Sequence, residues 1–314
     1  MFEYEKYIRA VYETGSFTKA AESLFITQPA LSLVVKKLEE ELGKPLFIRS
    51  KKQVIMTEEG QRYLEAAHEV AMVERRLRDS FANPESSYTG KIRVGGAGIC
   101  MSFVIPEILT ELRDKYPGLK VEVNEESFYT LRELMLKQQL DVILDSESYH
   151  PDISHIRLFP NVLLYAVPRM LISSPLLLEK GMTATDIMND RHLSGEVPRV
   201  DMKEMLDIPY LSLQPKNELY SRAETLFGHY NCRPRTVMHF NQQLTSYQYA
   251  ERGFGAAFIG DTLIKALPKD NLLFYMFNHE MPERWISIAY KTDEYLSKGI
   301  LLFIETAKSI YKAR

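Results

Sequence analysis

Residues 16–49 read SFTKAAESLFITQPALSLVVKKLEEELGKPLFIR, the pattern of two short helices joined by a tight turn. Ser16 is placed to cap a first helix over residues 18–25. Ala20, Ala21 and Leu24 share one of its faces, and the two alanines are small enough for a second helix to approach closely. Ile26-Thr27 forms the turn and Thr27 caps the helix that follows. Pro29 falls in the first turn of that helix, where its missing N–H costs nothing. Leu31, Val34, Val35, Leu38 and Leu42 then recur at the helical period, and Gly43 with Pro45 ends the run. The opposite face offers Gln28, Pro29, Ser32, Leu33, Lys36 and Glu40. In a helix-turn-helix this second helix lies in the DNA major groove. Gln pairs bidentately with adenine, Ser bonds to several base edges, and Pro29, Ala30 or Leu33 can touch a thymine methyl.

An amphipathic helix pair in any all-α domain carries the same pattern, so the next segment matters. Residues 44–56, KPLFIRSKKQVIM, hold Lys44, Arg49, Lys51 and Lys52 and no acid. Phe47, Ile48, Val54 and Ile55 are expected to anchor a two-stranded ribbon. A basic ribbon beside a reading helix is a wing, which neutralises phosphates and fixes register while the helix reads sequence. Ser16, Thr18 and Thr27, at the helix starts, complete the expected DNA-facing set.

The run resembles the N-terminal domain of the LysR-type bacterial transcriptional regulators. The family pattern appears as Gly15-Ser16-Phe17, Ala20-Ala21, Gln28-Pro29-Ala30, Ser32, Leu38-Glu39, Leu42-Gly43, Leu46-Phe47 and Arg49, with Thr57 and Gly60 at the start of the linker helix. The chain departs at Leu33-Val34, where the family often has Arg and Gln. Direct readout is therefore expected to rest on Gln28, Ser32, Lys36 and methyl contacts.

Thr57 is expected to cap a long helix reaching Phe81, with Glu58 and Glu59 at its positive end. Tyr63, Ala66, Val70, Val73, Leu77 and Phe81 alternate in steps of three and four, as in a coiled-coil seam. Tyr63, Val70, Val73, Leu77 and Phe81 are the expected dimer contacts. Packing onto the chain's own body is the other use of such a stripe. One reading helix contacts few bases, and such proteins dimerise on paired half-sites. The resemblance implies the same use of this helix, and a homotetramer built as a pair of dimers. Residues 83–90, NPESSYTG, read as a hinge.

Beyond it, strands and helices alternate. Strands are expected at Ile92 and Val94, over 119–123 and over 141–145, with helices between them. This is a βαβαβ unit, hence a mostly parallel sheet covered on both faces. Further strands fit 161–167, 208–213, 235–240 and 256–259, and helices fit 183–190, 217–229, 242–252 and 293–312. Some 225 residues is long for one such sheet, so two α/β lobes are expected. The resulting fold class is α/β: an all-α winged helix-turn-helix head (1–59), a dimerising linker helix and hinge (60–89), and an effector-binding domain (90–314). Its first lobe is placed at about 90–166 and 268–314 and its second at about 167–267. The family resemblance implies a two-lobed domain like a periplasmic binding protein. Looser matches carry it there: Gly95 with Pro106, residues 128–141, Ser174-Pro175-Leu176 and residues 250–259. Gln138 stands where Gly is usual and Ile259-Gly260 where Leu-Pro is usual.

In open α/β sheets, ligands bind beyond the carboxyl ends of the strands. The first such turn holds Gly96, Gly98, Ile99, Cys100, Met101 and Ser102. Its glycines would let backbone approach a ligand, and free N–H groups at the next helix would suit an anion. Ser127 and Phe128 form the second turn. Gln214, Lys216 and Asn241 would face them from the other lobe. The resemblance places small-molecule effector contacts in these same turns. A tight turn alone would also account for the glycines.

Two other functions fit parts of the chain. Gly96-Ala97-Gly98 with Glu122 partly imitates a dinucleotide fingerprint, but Met101 occupies the third glycine's position. Without DNA function the chain would be a ligand-binding protein or a dinucleotide-dependent enzyme. No phosphate-cradling loop, nucleophile elbow or His-Glu-x-x-His motif occurs, so no enzyme, no cofactor and no metal is expected. Cys100 reads as a small buried thiol rather than a redox sensor.

The chain has 314 residues, 45% hydrophobic and 26% charged, with a net charge of −3. A bulk polyanion binder is thereby disfavoured, and DNA contact must come from a local patch, here the wing with Lys36-Lys37. Met1 leads directly into Glu3 and Glu5, no apolar run is long enough to span a membrane, and there are two cysteines. Cytoplasmic location without a membrane partner is the expectation. The expected partners are double-stranded DNA, a small-molecule effector and further copies of the chain.

Overall fold

A computed structural model describes residues 1–49, 54–81, 88–146, 150–215, 217–279, 284–292 and 295–311. The chain divides into two compact units, Met1–Asn83 and Pro84–Arg314.

The first unit holds α1 (Glu5–Thr14), α2 (Phe17–Ser23), α3 (Gln28–Leu42), β1 (Phe47–Arg49), β2 (Val54–Met56) and α4 (Glu58–Phe81). Helix α1 was not expected from the sequence; its Ile8 and Val11 are fully buried against Ala20, Ala21, Leu31, Val35 and Leu38. Ser16 caps α2 by accepting the Lys19 amide, and Thr27 caps α3 by accepting the Ala30 amide. Between the two helices Phe25 sits at φ 55. Gly43 ends α3 in the left-handed region.

The ribbon pairs Phe47 with Met56, Ile48 with Ile55 and Arg49 with Val54, antiparallel. Phe47 anchors it, buried and edge-on to Phe17 at 5.8 Å. Ile48 and Ile55 do not: side chains alternate along a strand, and this pair faces outward, exposed. Lys51 and Lys52 lie outside the described residues. Thr57 caps α4, its Oγ1 accepting the Gly60 amide and donating to the Pro45 carbonyl.

In the second unit, β3 (Gly90–Gly96), a π-helical turn (Cys100–Val104) running into α5 (Ile105–Lys115), β4 (Leu119–Glu125), α6 (Phe128–Leu136) and β5 (Val142–Ser146) form the expected βαβαβ. Two later strands, β6 (Ile153–Pro160) and β13 (Trp285–Lys291), complete a five-stranded sheet ordered β4-β3-β5-β13-β6. The last helix, α12 (Lys298–Tyr311), packs beside α5 over β3 and β6, and α6 packs on β3, β5 and β13. Tyr88, expected in the hinge, belongs to this unit: it is buried and its hydroxyl accepts the Gly299 amide at 3.1 Å.

The second lobe contains, in chain order, β7 (Leu163–Pro168), α7 (Pro175–Lys180), α8 (Ala184–Met188), β8 (Arg199–Val200), β9 (Tyr210–Leu213), α9 (Glu218–His229), β10 (Thr236–Phe240), α10 (Gln243–Glu251), β11 (Ala257–Gly260), α11 (Asp261–Ala266) and β12 (Leu272–Phe277). Its four-stranded sheet runs β11-β7-β12-β8, and a bridge from Tyr210 to Ala256 joins the parallel pair β9 and β10. Strand β7 is buried on both faces. Leu163, Tyr165 and Val167 enter one core cluster, Leu164 and Ala166 the other.

The expected lobe boundaries near Val167 and Pro268 are corrected. The chain leaves the first sheet after Pro160 and enters the second at Leu163; it leaves the second after Phe277 and returns at Trp285. The pieces that change lobe, β7 (LLYAVP) and β12 (LLFYMF), are short apolar runs whose periodicity does not tell which sheet they join. At the crossing, the Asn161 amide donates to the Arg284 carbonyl at 2.7 Å. Asp261 accepts the Val162 amide through Oδ1 and donates its own amide to the Val162 carbonyl.

Candidate nucleic-acid interface and effector cleft

Helix α3 buries Leu31, Val35 and Leu38 and leaves Gln28, Pro29, Ala30, Leu33 and Lys36 exposed, with Ser32 half-buried. Gln28 Nε2 donates to Ser32 Oγ at 2.8 Å across one helical turn. Leu33, 69% exposed, stands on the same outer face. Lys36 Nζ lies 3.5 Å from Glu40 Oε1, both largely in solvent. Lys37 instead turns toward Tyr4, whose hydroxyl raises its pKa and whose ring lies 5.8 Å from Nζ. Ser16 is half-buried by its capping role, and Thr18 and Thr27 are exposed. Arg49 lies in β1 opposite Val54.

Sequence reasoning assigned no physical role to three residues around this face. Phe25 is 96% exposed at the turn, and no periodic signal marks one hydrophobe between Leu24 and Ile26. Glu39, half-buried, accepts the Leu46 and Phe47 amides. Gly60 sits where α4 meets the ribbon base; a Cβ there would lie 2.5 Å from the Leu46 carbonyl oxygen.

The expected dimer set divides. Tyr63 is buried in the head core, stacked on Phe2 and donating to the Met1 carbonyl at 2.9 Å, so it is not a seam residue. Burial raises its pKa to about 12. Val70 is half-buried. Val73, Leu77 and Phe81 are 63%, 59% and 82% exposed on α4.

In the body, the residues expected to contact an effector take different places. Gly96 is buried because Ile105 fills the space its Cβ would need, at 2.5 Å, so packing explains this glycine rather than approach of a ligand. Gly98 has φ 48, and its notional Cβ lies 3.1 Å from Gln242 Oε1 of the other lobe. Ile99 is buried within a core cluster whose other members all come from the second lobe, and Phe103 packs against the same cluster. Cys100 is buried, its amide donating to the Ala97 carbonyl at 3.1 Å. Burial, with Asp145 nearby, pushes its thiol far above the ordinary range. The Ile99 side chain is thus not open to solvent, contrary to expectation, because the first turn of this helix is apolar on its inner side, and Cys100 is the small buried thiol that was expected.

Met101 is half-buried and Ser102 exposed. Ser127 caps α6, exposed, with Oγ 2.9 Å from Thr130 Oγ1. Phe128 is half-buried, with Arg132 5.8 Å over its ring. From the second lobe Gln214 and Asn241 are exposed, and Asn217 Nδ2 donates to the Asn241 carbonyl at 3.1 Å. Lys216 lies outside the described residues. Among the described residues no group of three or more His, Cys, Asp or Glu is placed to hold a metal ion. No described helix is long and apolar enough to cross a membrane.

A winged helix-turn-helix with an outward polar helix face, followed by a two-lobed α/β body, defines a DNA-binding regulator. Residues 4–61 match the family model described as bacterial regulatory helix-turn-helix protein, lysR family, and residues 85–311 match the LysR substrate binding domain. The chain belongs to the LysR family. It is 24% identical over 306 residues to the HTH-type transcriptional regulator BsdA of Bacillus subtilis (strain 168), covering 96% of this chain and 97% of that one. It is 28% identical over 216 residues to the HTH-type transcriptional activator CmpR of Synechocystis, covering 68% and 70%. A full-length OxyR variant from Pseudomonas aeruginosa has a similar fold (TM-score 0.71, 19% identity, 98% and 94% covered). So does full-length BenM (TM-score 0.54, 24% identity, 100% and 97% covered). The chain is a DNA-binding transcriptional regulator of the LysR type, not an enzyme. Regulators of this type bind DNA and small-molecule effectors and form oligomers.

Proposed function

We propose that α3 reads bases through Gln28 and Ser32, with Lys36 and the methyl-seeking Pro29, Ala30 and Leu33 beside them. The observation that carries this is the paired Gln28–Ser32 display on the outward face of a capped helix. Ser16, Thr18 and Thr27 meet the phosphate backbone from the helix starts, and Arg49, Lys51 and Lys52 neutralise phosphates from the wing. Two heads, held by pairing of the Val70, Val73, Leu77 and Phe81 faces of two α4 helices, dock on the half-sites of an imperfect palindrome. Two such dimers make a tetramer. The protein works in the cytoplasm.

A small molecule binds in the cleft between Ser102, Ser127 and Phe128 of one lobe and Gln214, Lys216 and Asn241 of the other. It acts by differential affinity for two lobe arrangements. Gel shifts with specific and random duplex at rising salt test the DNA reading. Both should weaken steeply, the random duplex at lower salt. Absence of any shift at low salt refutes the reading. A thermal-shift screen of small metabolites tests the cleft, since a ligand raises the melting temperature by mass action.

A further inference from the structure

Glu39 lies on α3 between fully buried Leu38 and exposed Glu40, and its carboxylate leaves the helix surface to serve another element. Its Oε1 accepts the Leu46 amide at 2.8 Å and the Phe47 amide at 3.3 Å. These are the residues that open the wing. Its main-chain carbonyl accepts the Lys44 amide at 3.2 Å. One residue therefore ends the reading helix with its backbone and starts the ribbon with its side chain. The same short segment is held from the opposite side. The Leu46 carbonyl accepts the Thr57 amide at 2.9 Å, the Pro45 carbonyl accepts Thr57 Oγ1 at 2.8 Å, and Gly60 lets α4 close on it.

A carboxylate near a DNA-binding surface works against association, because every phosphate repels it. Its presence calls for a compensating role. Bonds to an ionised acceptor are shorter and stronger than neutral ones, and two of them converge here on one oxygen.

We propose that Glu39 is a positioning residue for DNA binding: it fixes the base of the wing relative to the reading helix. The wing cations then reach phosphates beside the groove that α3 occupies. The inference rests on the wing reading above. It makes the register between base contacts and phosphate contacts a property of one side chain that touches no DNA.

The test uses the full-length protein as wild type, Glu39→Gln, Glu39→Ala and Lys51→Ala. Binding to operator and random duplex is measured across a salt series. Glu39→Gln keeps an acceptor and loses the charge, so its salt slope should match wild type and its affinity should be equal or higher. Glu39→Ala should weaken both duplexes and flatten the slope of log K against log salt, by about 0.9 for each phosphate no longer neutralised. Circular dichroism checks that the head of Glu39→Ala is folded; if it is not, Glu39→Asp, which keeps the charge but draws the carboxylate back by one methylene, takes its place, and an unchanged slope in it overturns the proposal.

If Glu39 were only a surface acid, both Glu39 variants would bind more tightly with an unchanged slope, which refutes the role. Lys51→Ala separates the two layers. A reduced slope in Lys51→Ala beside a wild-type slope in folded Glu39→Ala overturns Glu39 alone. An unchanged slope in Lys51→Ala removes the wing reading, and the proposal with it.

Discussion

Gln28 Nε2 and Ser32 Oγ are 2.8 Å apart, joined by a hydrogen bond on the exposed face of α3. The two expected base readers are thus coupled before DNA arrives. Each fixes the other's rotamer, and each gives up a mutual bond when it turns to a base.

Replacing either by Ala should reduce discrimination between operator and mismatched sites by about 1–3 kcal/mol. Because the residues touch, the double variant should lose less than the two single losses added together. Binding isotherms on matched and mismatched duplexes give the cycle. Strict additivity would show that the pair is incidental, and unchanged discrimination in both single variants would mean another face reads the bases.

The α4 stripe makes a separate prediction. Val73, Leu77 and Phe81 are exposed apolar side chains on a helix rich in charged residues. Leu77→Asp with Phe81→Asp should weaken self-association at least tenfold, about 1.4 kcal/mol, since a charge would be buried in an apolar seam. Sedimentation at several concentrations reads this. An unaltered dissociation constant would place the dimer contacts elsewhere.

Alkaline pH should unfold the protein through its tyrosines. Burial raises the phenols of Tyr63, Tyr165, Tyr210, Tyr230, Tyr247 and Tyr275 above their ordinary value of 10.0. A group whose folded pKa exceeds its unfolded one lends stability below the unfolded value and loses it as pH climbs through the folded one. Stability should therefore fall from about pH 10 upward. Phenolate absorbance of these six should appear together with loss of far-ultraviolet dichroism. Reversible ionisation of all of them with the fold intact would contradict their burial.

Ile99 joins a first-lobe helix to the second-lobe core. Ile99→Ala should cost about 2–5 kcal/mol in denaturant unfolding of the body. Ser102→Ala, exposed on the same turn, should change stability by less than about 0.5 kcal/mol. Equal effects would mean that the Ile99 contact contributes nothing to holding the lobes.

The head is legible in the sequence because its signals are local. Caps, the positions of Pro29 and Gly43 and the 3.6-residue stripe act within one or two helical turns, where backbone hydrogen bonding and side-chain periodicity decide the outcome. Helix α1 escaped notice because Tyr4 at its start makes no side-chain cap, although Ile8 and Val11 carry its buried face and Gly15 ends it in the left-handed region. In the body, alternation found the first βαβαβ unit but not β6, β12 or β13, whose pairing partners lie far along the chain. Gln138, conspicuous as a replacement for a usual glycine, proves to adopt φ 59. That left-handed conformation costs an L-residue roughly 1–2 kcal/mol and explains why glycine suits the position.

Residue types and spacing alone therefore determined the helix-turn-helix, the outward polar face of α3, the two-stranded ribbon, the long helix α4 and the α/β class of the body, because each depends on neighbours in sequence. Tertiary structure decided which stripe residues are exposed, taking Tyr63 into the head core. It also decided where the chain crosses between sheets and which cleft residues remain open, closing Ile99 into the second-lobe core. These outcomes depend on which distant surfaces meet, and the hydrophobic effect that drives such meetings is non-directional. A local pattern can announce that an apolar side chain will be buried, but the partner it is buried against is chosen only when the whole chain has packed.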